Sequence, residues 1–386
     1  MSSLKDRVIQ DLNERRERVL SGKINSIPSP FKRFRCAFPG IEQGKYYLIT
    51  GGTKSAKTQF SSFLFVYNSL LYAYKNPDKA RVKIFYYNLE ESKEDIMLRF
   101  MCYILYTQSG FDIKISPTQL KSVSINAVAD KSVLNLLESD EYKDILAFFE
   151  EHIIFGDSAN PTGIFLEVKK YLDEHGTVHK KKAMIKDEFG RPLEIEKFDY
   201  YESDDPDEYR ILFIDHISLI STEKDYTLKK SMDKLSEYCV QLRNRYKITP
   251  VIIQQQSFDS ESLGAFQAKR TKPTLATMSD SRYLSRDSNI ALGIFSPFRM
   301  ELTEYASYDI SVLKDHARFV EILIDRSGSP GSVLPLYFDG AVNYFAELPN
   351  PRTQERELGI LYDKLRLNQA ITLVSICNKI KTFFKL

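Results

Sequence analysis

The sequence predicts a doubly wound α/β domain built on a mostly parallel β-sheet. From Tyr46 onward, apolar strand-like runs alternate with helix-like runs, which is the pattern of βαβ units. A Gly-rich turn lies between the first strand and the first helix of this series, a position that favours phosphate binding. The 386 residues suffice for one large α/β unit with extensions. We predict that this unit spans residues 26–350, with an insertion at 177–210, between an N-terminal helix in 1–25 and a C-terminal extension in 351–386.

Composition and charge are those of an ordinary globular protein. With 43% hydrophobic and 27% charged residues, the chain can bury a sizeable core, and collagen-like or fully disordered proteins are excluded. The apolar runs are far shorter than the ~20 residues of a membrane-spanning helix, and the charged N-terminus is unlike a signal peptide. We therefore expect a cytoplasmic protein that does not enter a membrane. Because the net charge is only +2, any contact with nucleic acid must come from a local basic patch.

The four cysteines are scattered without a CxxC pair, so the sequence indicates neither a disulfide framework nor a zinc site. We predict that Cys36, Cys102, Cys239 and Cys377 are all buried small hydrophobic residues. The close pair of histidines has no acidic or cysteine partner at ligand spacing, which disfavours a metalloenzyme.

The hydrophobic pattern predicts the elements in order. Residues 1–25 carry apolar side chains at helical spacing among many charges, which indicates an amphipathic helix that packs on another surface. A turn-rich segment with two prolines then separates this helix from the sheet. The runs that predict strands, about seven of them, are Tyr46–Thr50, Val82–Leu89, His152–Phe155, Ile211–Ile214, Pro250–Gln254, Ala291–Ile294 and Phe319–Ile324.

Two segments look like additions to the domain. Between Gly176 and Arg210, two alternating stretches flank a Gly-Arg-Pro turn, which predicts a β-hairpin followed by an acidic loop. Charge runs of this kind are most often solvated surface features, and the sequence leaves the role of this insertion open. The segment after Pro351 has a helical period with cationic ends, which predicts a docking helix.

The strongest single motif is the turn after the first predicted strand. It matches the P-loop pattern GxxxxGK[ST], except that Ala56 stands at the second glycine. In such a loop the backbone amides surround the phosphates, Lys57 reaches the β- and γ-phosphate oxygens, and the hydroxyl of Thr58 binds Mg²⁺. The predicted binding residues for ATP and Mg²⁺ are Gly51, Gly52, Thr53, Lys54, Ser55, Ala56, Lys57 and Thr58.

Acidic residues follow two other predicted strands. Asp215 ends the apolar run Ile211–Ile214, and it can hold Mg²⁺ at the carboxyl edge of the sheet. Glu90 and Glu91 follow another strand, and one of them can position the water that attacks a phosphoanhydride bond. Spacing alone leaves open whether they instead only begin the next helix, where acidic residues favour the helix dipole.

Six ordered blocks, from about Asp11 to Leu348, resemble the DnaB-type replicative helicases of the RecA-like ATPase group. The blocks are GIEQGKYYLITGGTKSAKT, YYNLEESKEDIMLRF, ILFIDHISLIS, PVIIQQQS, MSDSR followed by SRDSNIALGIF, and EILIDRSGSPGSV. The resemblance implies a RecA-like fold with a linker helix at the N-terminus. It also implies that Lys57 and Thr58 bind the phosphates and Mg²⁺, that Glu90 is the catalytic base and that Asp215 is the Walker B aspartate.

The same resemblance implies a hexameric ring that translocates on single-stranded DNA and unwinds duplex DNA, with a primase or a helicase loader as candidate partners. Gln256 would sense the γ-phosphate, and Arg326 would be the arginine finger that reaches the neighbouring subunit's site. The segment from Ser257 to Asp287 is basic and can follow a phosphate backbone, although by composition alone such a loop is more often a solvated surface. The resemblance implies that Ser281–Ser285 lines the central channel, and the predicted DNA-binding residues of the segment are Lys269, Arg270, Lys272, Arg282 and Arg286.

The sequence departs from the family at three points. Ala56 replaces the P-loop glycine, Ile324 stands where the finger motif usually has lysine, and the block after MSDSR is shorter. The family's separate helical N-terminal domain is also absent, which would suit a phage or a mobile element. Two alternatives therefore stay open: a RecA-like ATPase that remodels or loads proteins on DNA without unwinding, and a catalytically silent nucleotide-binding subunit.

Overall fold

The computed structural model describes residues 4–186, 188–256, 272–275, 282–328 and 330–384. Within these residues, nine strands form one sheet, and six more pair into three two-stranded ribbons. The strands are β1 (Ser26–Pro28), β2 (Gly40–Glu42), β3 (Tyr47–Gly51), β4 (Arg81–Asn88), β5 (Ile153–Phe155), β6 (Gly176–Lys186), β7 (Pro192–Ser203), β8 (Glu208–Asp215), β9 (Thr249–Gln255), β10 (Ile290–Phe295), β11 (Glu304–Tyr305), β12 (Tyr308–Asp309), β13 (Ala317–Asp325), β14 (Val333–Asp339) and β15 (Tyr344–Glu347).

Helices cover both faces of the large sheet. They are α1 (Leu4–Leu20), α2 (Lys57–Ser61), α3 (Asn68–Lys75), α4 (Lys93–Gln108), α5 (Pro117–Leu120), α6 (Lys131–Leu137), α7 (Asp140–His152), α8 (Pro161–Glu174), α9 (Leu228–Tyr246), α10 (Arg282–Asp287), α11 (Ile310–Leu313) and α12 (Glu355–Phe384). A π-helical segment, Ser62–Tyr67, joins α2 to α3.

The large sheet has the strand order β15-β14-β13-β10-β3-β9-β8-β4-β5. From β10 to β5 all neighbouring strands are parallel, whereas β13, β14 and β15 pair in the antiparallel sense. We call the edge at which β3, β4, β8 and β9 end the carboxyl edge, and the edge at which they begin the amino edge. Ligands of open α/β sheets bind at the carboxyl edge, so β3 delivers the Gly-rich turn to the centre of that edge.

The core forms two layers, because successive side chains of a buried strand point to opposite faces. In β3, Ile49 packs with the aromatic side chains of the segment from α2 to α7, such as Phe63 and Phe100. Its neighbour Leu48 packs on the other face with α8 and α9. This arrangement confirms the predicted doubly wound α/β fold.

The predicted strand number was too low. The sheet has nine strands rather than about seven, because β14 and β15 extend it beyond β13. These strands are only partly buried, and β14 contains Pro335, which weakens a strand pattern in sequence. The prediction that all four cysteines are buried was also wrong. Cys36 is exposed, Cys102 and Cys239 are buried, and the side chain of Cys377 lies outside the described part of the chain.

The insertion and the two terminal segments each form regular secondary structure. The insertion is a long hairpin in which β6 pairs with β7, and Lys186 faces Pro192 next to the turn. Helix α1 leaves its apolar side chains exposed, and ion pairs of Arg15 with Glu42 (3.0 Å) and of Arg18 with Asp207 attach its second half to the domain. Helix α12 buries Leu358 and Leu365 beside α11. None of the helices in the described part of the chain is long and apolar enough to cross a bilayer.

Candidate nucleotide-binding site

The turn after β3 is a tightly packed loop that ends in the first turn of α2. A Cβ atom on Gly51 would lie 2.5 Å from Ser55 Oγ and 2.6 Å from the backbone oxygen of Ile294, so only glycine fits there. Ala56 has φ 71° and ψ 30°, which is the left-handed region that glycine tolerates and alanine disfavours. The fold therefore holds an alanine in a backbone conformation that favours glycine.

A hydroxyl that follows this loop contacts an acidic residue of β8. Thr58, one residue into α2, donates a hydrogen bond from Oγ1 to Oδ1 of Asp215 over 3.2 Å. Asp215 is 2% exposed, and burial raises the pKa of its carboxyl group to about 7. The hydrogen bond from Thr58 acts in the opposite direction and lowers this pKa. The nearby carboxylates Glu90 and Glu91 raise this pKa further, whereas Lys57 lowers it. Helix α2 and strand β8, which are far apart in sequence, thus bring a hydroxyl and a carboxylate to one point.

Glu90 and Glu91 occupy different environments, which spacing alone left undecided. Glu91 is partly buried and forms an ion pair with Arg99, and burial raises its pKa. Glu90 has a side chain that is 60% exposed, and its Oε2 lies 3.9 Å from Nε2 of His216. Burial, followed by Lys57, lowers the pKa of His216. Glu90 is therefore the carboxylate that a water molecule can approach.

The end of β9 lies beside the loop. Gln256 donates its backbone N–H to the backbone oxygen of Gly51 (3.3 Å), and the residue is buried. Its Nε2 atom has no hydrogen-bond partner among the described residues. The side chain that reaches the loop is that of Gln255, whose Nε2 donates to Thr53 Oγ1 over 2.9 Å. The sequence did not single out Gln255, because three glutamines follow one another and only the register of the strand separates them.

Arg318 also contacts the loop, although the sequence did not single it out. It is 1% exposed, and its Nε donates to the backbone oxygen of Ser55 over 3.0 Å. The signal was present in the sequence, since a charged residue inside an apolar strand such as β13 is buried only when it is paired. Its partner, however, is 263 residues away, and no local pattern names it.

Arg326 lies at the amino edge, away from the loop of its own chain. Arg326 directly follows β13. In the sheet, Asp325 of β13 pairs with Ile290 of β10, and Ile290 pairs with Tyr47 at the start of β3. Gly51 is therefore about 13 Å further along the sheet, at ~3.3 Å per residue. The guanidinium of Arg326 donates to the backbone oxygen of Arg286. Its position excludes direct contact with a nucleotide in the same chain's loop.

The predicted DNA-binding residues are only partly visible. Lys269 and Arg270 lie outside the described residues, and the side chain of Arg282 is not described. Lys272 lies 3.9 Å from a carboxylate oxygen of Glu321 and 5.3 Å from the ring centre of Tyr305. Arg286 pairs with its neighbour Asp287 and stacks over Tyr283. The structure places Arg286 at the amino edge beside Arg326, not at the nucleotide loop.

Comparisons with known proteins agree on the fold. No protein-family model and no curated protein sequence matches the chain. The solved structure described as "ATPase Domain of G40P" matches with a TM-score of 0.63 and 14% identity, over 90% of this chain and 99% of that chain. The structure described as "The Structure Of A DnaB-Like Replicative Helicase And Its Interactions With Primase" matches with a TM-score of 0.60 and 14% identity, over 90% of this chain and 67% of that chain. The chain therefore has the RecA-like α/β fold of these ATPase domains.

Proposed function

We propose that this chain binds ATP with Mg²⁺ at the loop after β3 and hydrolyses it. The observation that carries the proposal is the contact of Thr58 Oγ1 with Asp215 Oδ1 at the carboxyl edge (3.2 Å). A hydroxyl and a carboxylate supply the oxygen ligands that Mg²⁺ prefers, and Mg²⁺ sites in such enzymes use one or two carboxylates together with phosphate oxygens. A buried carboxylate with other carboxylates nearby is also a group that a cation would stabilise.

The residues of this chain would divide the work as follows. The loop amides and Lys57 bind the phosphates, while Thr58 and Asp215 hold the metal ion. Mg²⁺, when bound, neutralises charge on the phosphate oxygens. Glu90 accepts a hydrogen bond from the attacking water and orients it for in-line attack. Glu90 is assigned this role rather than Glu91 because Glu90 is exposed, whereas Glu91 is half-buried in an ion pair with Arg99.

We further propose that hydrolysis drives movement along single-stranded DNA and duplex unwinding in a ring of copies of this chain. The six sequence blocks and the shared fold support this step. Arg326 would complete the site of the neighbouring copy, Gln256 would couple the γ-phosphate to the DNA segment, and the ring would be a hexamer. The channel residues would be Lys269, Arg270, Lys272, Arg282 and Arg286, and a primase or a helicase loader would be a partner.

The test is ATP turnover with and without single-stranded DNA at a stated salt concentration, followed by displacement of an annealed strand. Lys57→Ala should abolish turnover, because it removes the charge that binds the phosphates. Lys75→Ala is the matched control, since this exposed lysine ends α3 away from the loop. Turnover that survives Lys57→Ala would contradict the proposed site.

The two alternatives give different results in the same assays. A remodelling ATPase would show DNA-stimulated turnover without strand displacement. A silent subunit would bind ATP with negligible turnover even with DNA present. The left-handed backbone of Ala56 (φ 71°) is the observation that favours the silent subunit, because alanine is strained there.

A further inference from the structure

Arg318 is a buried cation that donates hydrogen bonds to several neighbouring groups. Its Nη1 donates to the backbone oxygens of Asp315 (2.7 Å) and Ala317 (2.9 Å) and to Ser296 Oγ (3.2 Å). Its Nη2 donates to Oδ1 of Asp315 over 3.2 Å, and the guanidinium lies 4.8 Å from the ring centre of Phe338. These contacts hold both terminal nitrogens of the guanidinium, so the Nε–H is aimed in one direction.

That direction is the backbone oxygen of Ser55, at 3.0 Å. The Ser55 oxygen belongs to the peptide plane whose other end is the N–H of Ala56. Rotation of this plane changes ψ of Ser55 and φ of Ala56 together, so the hydrogen bond from Arg318 fixes φ of Ala56 at 71°. Because the C=O and the N–H of a trans peptide point in opposite directions, the N–H of Ala56 points away from Arg318.

Alanine prefers a negative φ. A flip of the Ser55–Ala56 peptide plane would relieve Ala56 and would turn its N–H by about half a turn, since both ends of a planar peptide rotate together. An amide of the loop would then no longer be available to an anion, and a carbonyl oxygen would replace it. The strain at Ala56 therefore favours the flipped orientation of the Ser55–Ala56 peptide plane, whereas the hydrogen bond from Arg318 favours the observed orientation.

We propose that Arg318 is a positioning residue that holds the Ser55–Ala56 peptide plane in the orientation required for phosphate binding, and so compensates for the alanine at position 56. The proposal rests on the nucleotide site proposed above. A glycine at position 56 would have no preference for a negative φ, and the loop would then depend much less on Arg318.

The test is a double-mutant cycle with Arg318→Lys, Ala56→Gly and the combined variant, measured by the affinity for a fluorescent ATP analogue with Mg²⁺ and by kcat and KM. Arg318→Lys should weaken nucleotide binding about tenfold in the natural background and less than about threefold with Ala56→Gly, because a lost charged hydrogen bond matters most where the loop is strained. KM should rise while kcat changes little. Arg210→Lys is the control, since Arg210 is also buried (4% exposed) but contacts Glu208 at the base of the hairpin.

The loss of affinity decides the proposal. An equal loss with alanine and with glycine at position 56 would overturn it, because Arg318 would then only support the fold. If thermal melting shows that Arg318→Lys does not fold, Asp315→Ala replaces it, since Asp315 is partly exposed and holds Arg318 from outside. Ala56→Gly should reduce the loss of nucleotide affinity caused by Asp315→Ala in the same way. If it does not, the proposal is overturned. If Lys57→Ala leaves binding intact, the nucleotide site itself is wrong; if only the rescue fails, the site stands and the role of Arg318 falls.

Discussion

Asp215 shows how a residue at the proposed site can lower the stability of the protein without ligand. Its pKa is raised from 3.8 to about 7, first by burial and then by Glu90 and Glu91. The folded protein therefore holds this proton more tightly than the unfolded chain, so the free energy of unfolding decreases as the pH rises from about 4 to about 7. Above that range the ionised carboxylate costs roughly 4 kcal/mol, at 1.36 kcal/mol per pKa unit.

Asp215→Asn should therefore stabilise the ligand-free protein at pH 8 and have little effect on its stability near pH 4. An asparagine oxygen can still accept the hydrogen bond from Thr58, and the amide does not ionise. The measurement is urea unfolding at both pH values, with the exposed Asp363→Asn (80% exposed side chain) as the control. A stabilisation that is the same at both pH values would contradict the raised pKa. Turnover of ATP should be lost in the same variant.

Glu90→Gln should reduce turnover by about 10²-fold or more, the usual contribution of a general base, and should leave nucleotide affinity nearly unchanged. Glu91→Gln should act differently, because it breaks the ion pair with Arg99 and disturbs the start of α4. We expect a change in stability from Glu91→Gln and a smaller loss of turnover, measured by thermal melting and by steady-state kinetics. A larger loss of turnover with Glu91→Gln would mean that the roles of the two carboxylates are reversed.

At the scale of elements, the hairpin β6–β7 is separable from the site. Phe198 and Tyr201 pack on Tyr246 of α9 at its base. Toward the turn, Met184 and Phe189 are 64% and 74% exposed. The outer half of the hairpin therefore contributes little to the core.

Replacing residues 181–197 by Asn-Gly should keep the fold and the basal ATP turnover. Lys180 and Phe198 face each other in the hairpin, and a two-residue Asn-Gly turn closes such a pair. Turnover within about twofold of the natural chain is expected, because loop changes away from a packed core are tolerated. The result is checked by circular dichroism and by turnover without DNA. Loss of basal turnover in a folded variant would show that the hairpin supports the site.

The sequence was sufficient for elements with a strong and repeated pattern. The parallel strands β3, β8 and β9 each contain an unbroken apolar run, so they could be predicted. Their carboxyl ends meet at one edge of the sheet, which brings Thr58 and Asp215 together. The pattern was insufficient for β14 and β15, which are partly exposed and include Pro335. Such strands carry a weaker signal, because only one side of each meets the core.

Long-range contacts set the limit at the site. Arg318 contacts Ser55 although the two residues are 263 positions apart in the sequence. This contact depends on the position of β13 in the sheet, beside β10 and close to β3. The choice between Glu90 and Glu91 likewise depends on Arg99, which pairs with only one of them. Motif spacing places residues at the correct edge of the sheet, but the assignment of each side chain needs the packed structure.

At the scale of the whole molecule, the sheet separates two sets of proposed functional groups. The carboxyl edge carries Lys57, Thr58 and Asp215, whereas Arg326 lies at the amino edge. Arg243 also lies near the amino edge, where its Nη1 donates to the backbone oxygen of Asp287 over 2.8 Å. Burial, followed by the nearby Arg326, lowers the pKa of Arg243. In the proposed ring, one copy would supply Lys57, Thr58 and Asp215 to one site and Arg326 to the next, and a head-to-tail arrangement of copies would bring these groups together.

The most direct test of this account is ATP turnover by mixed assemblies of Lys57→Ala and Arg326→Ala subunits, prepared under conditions that allow subunit exchange. Each variant alone should be inactive. A one-to-one mixture should recover turnover at about a quarter of the sites, because such a site draws an intact Lys57 from one copy and an intact Arg326 from its neighbour. A mixture that stays as inactive as either variant, despite confirmed exchange, would contradict a site shared between neighbouring copies.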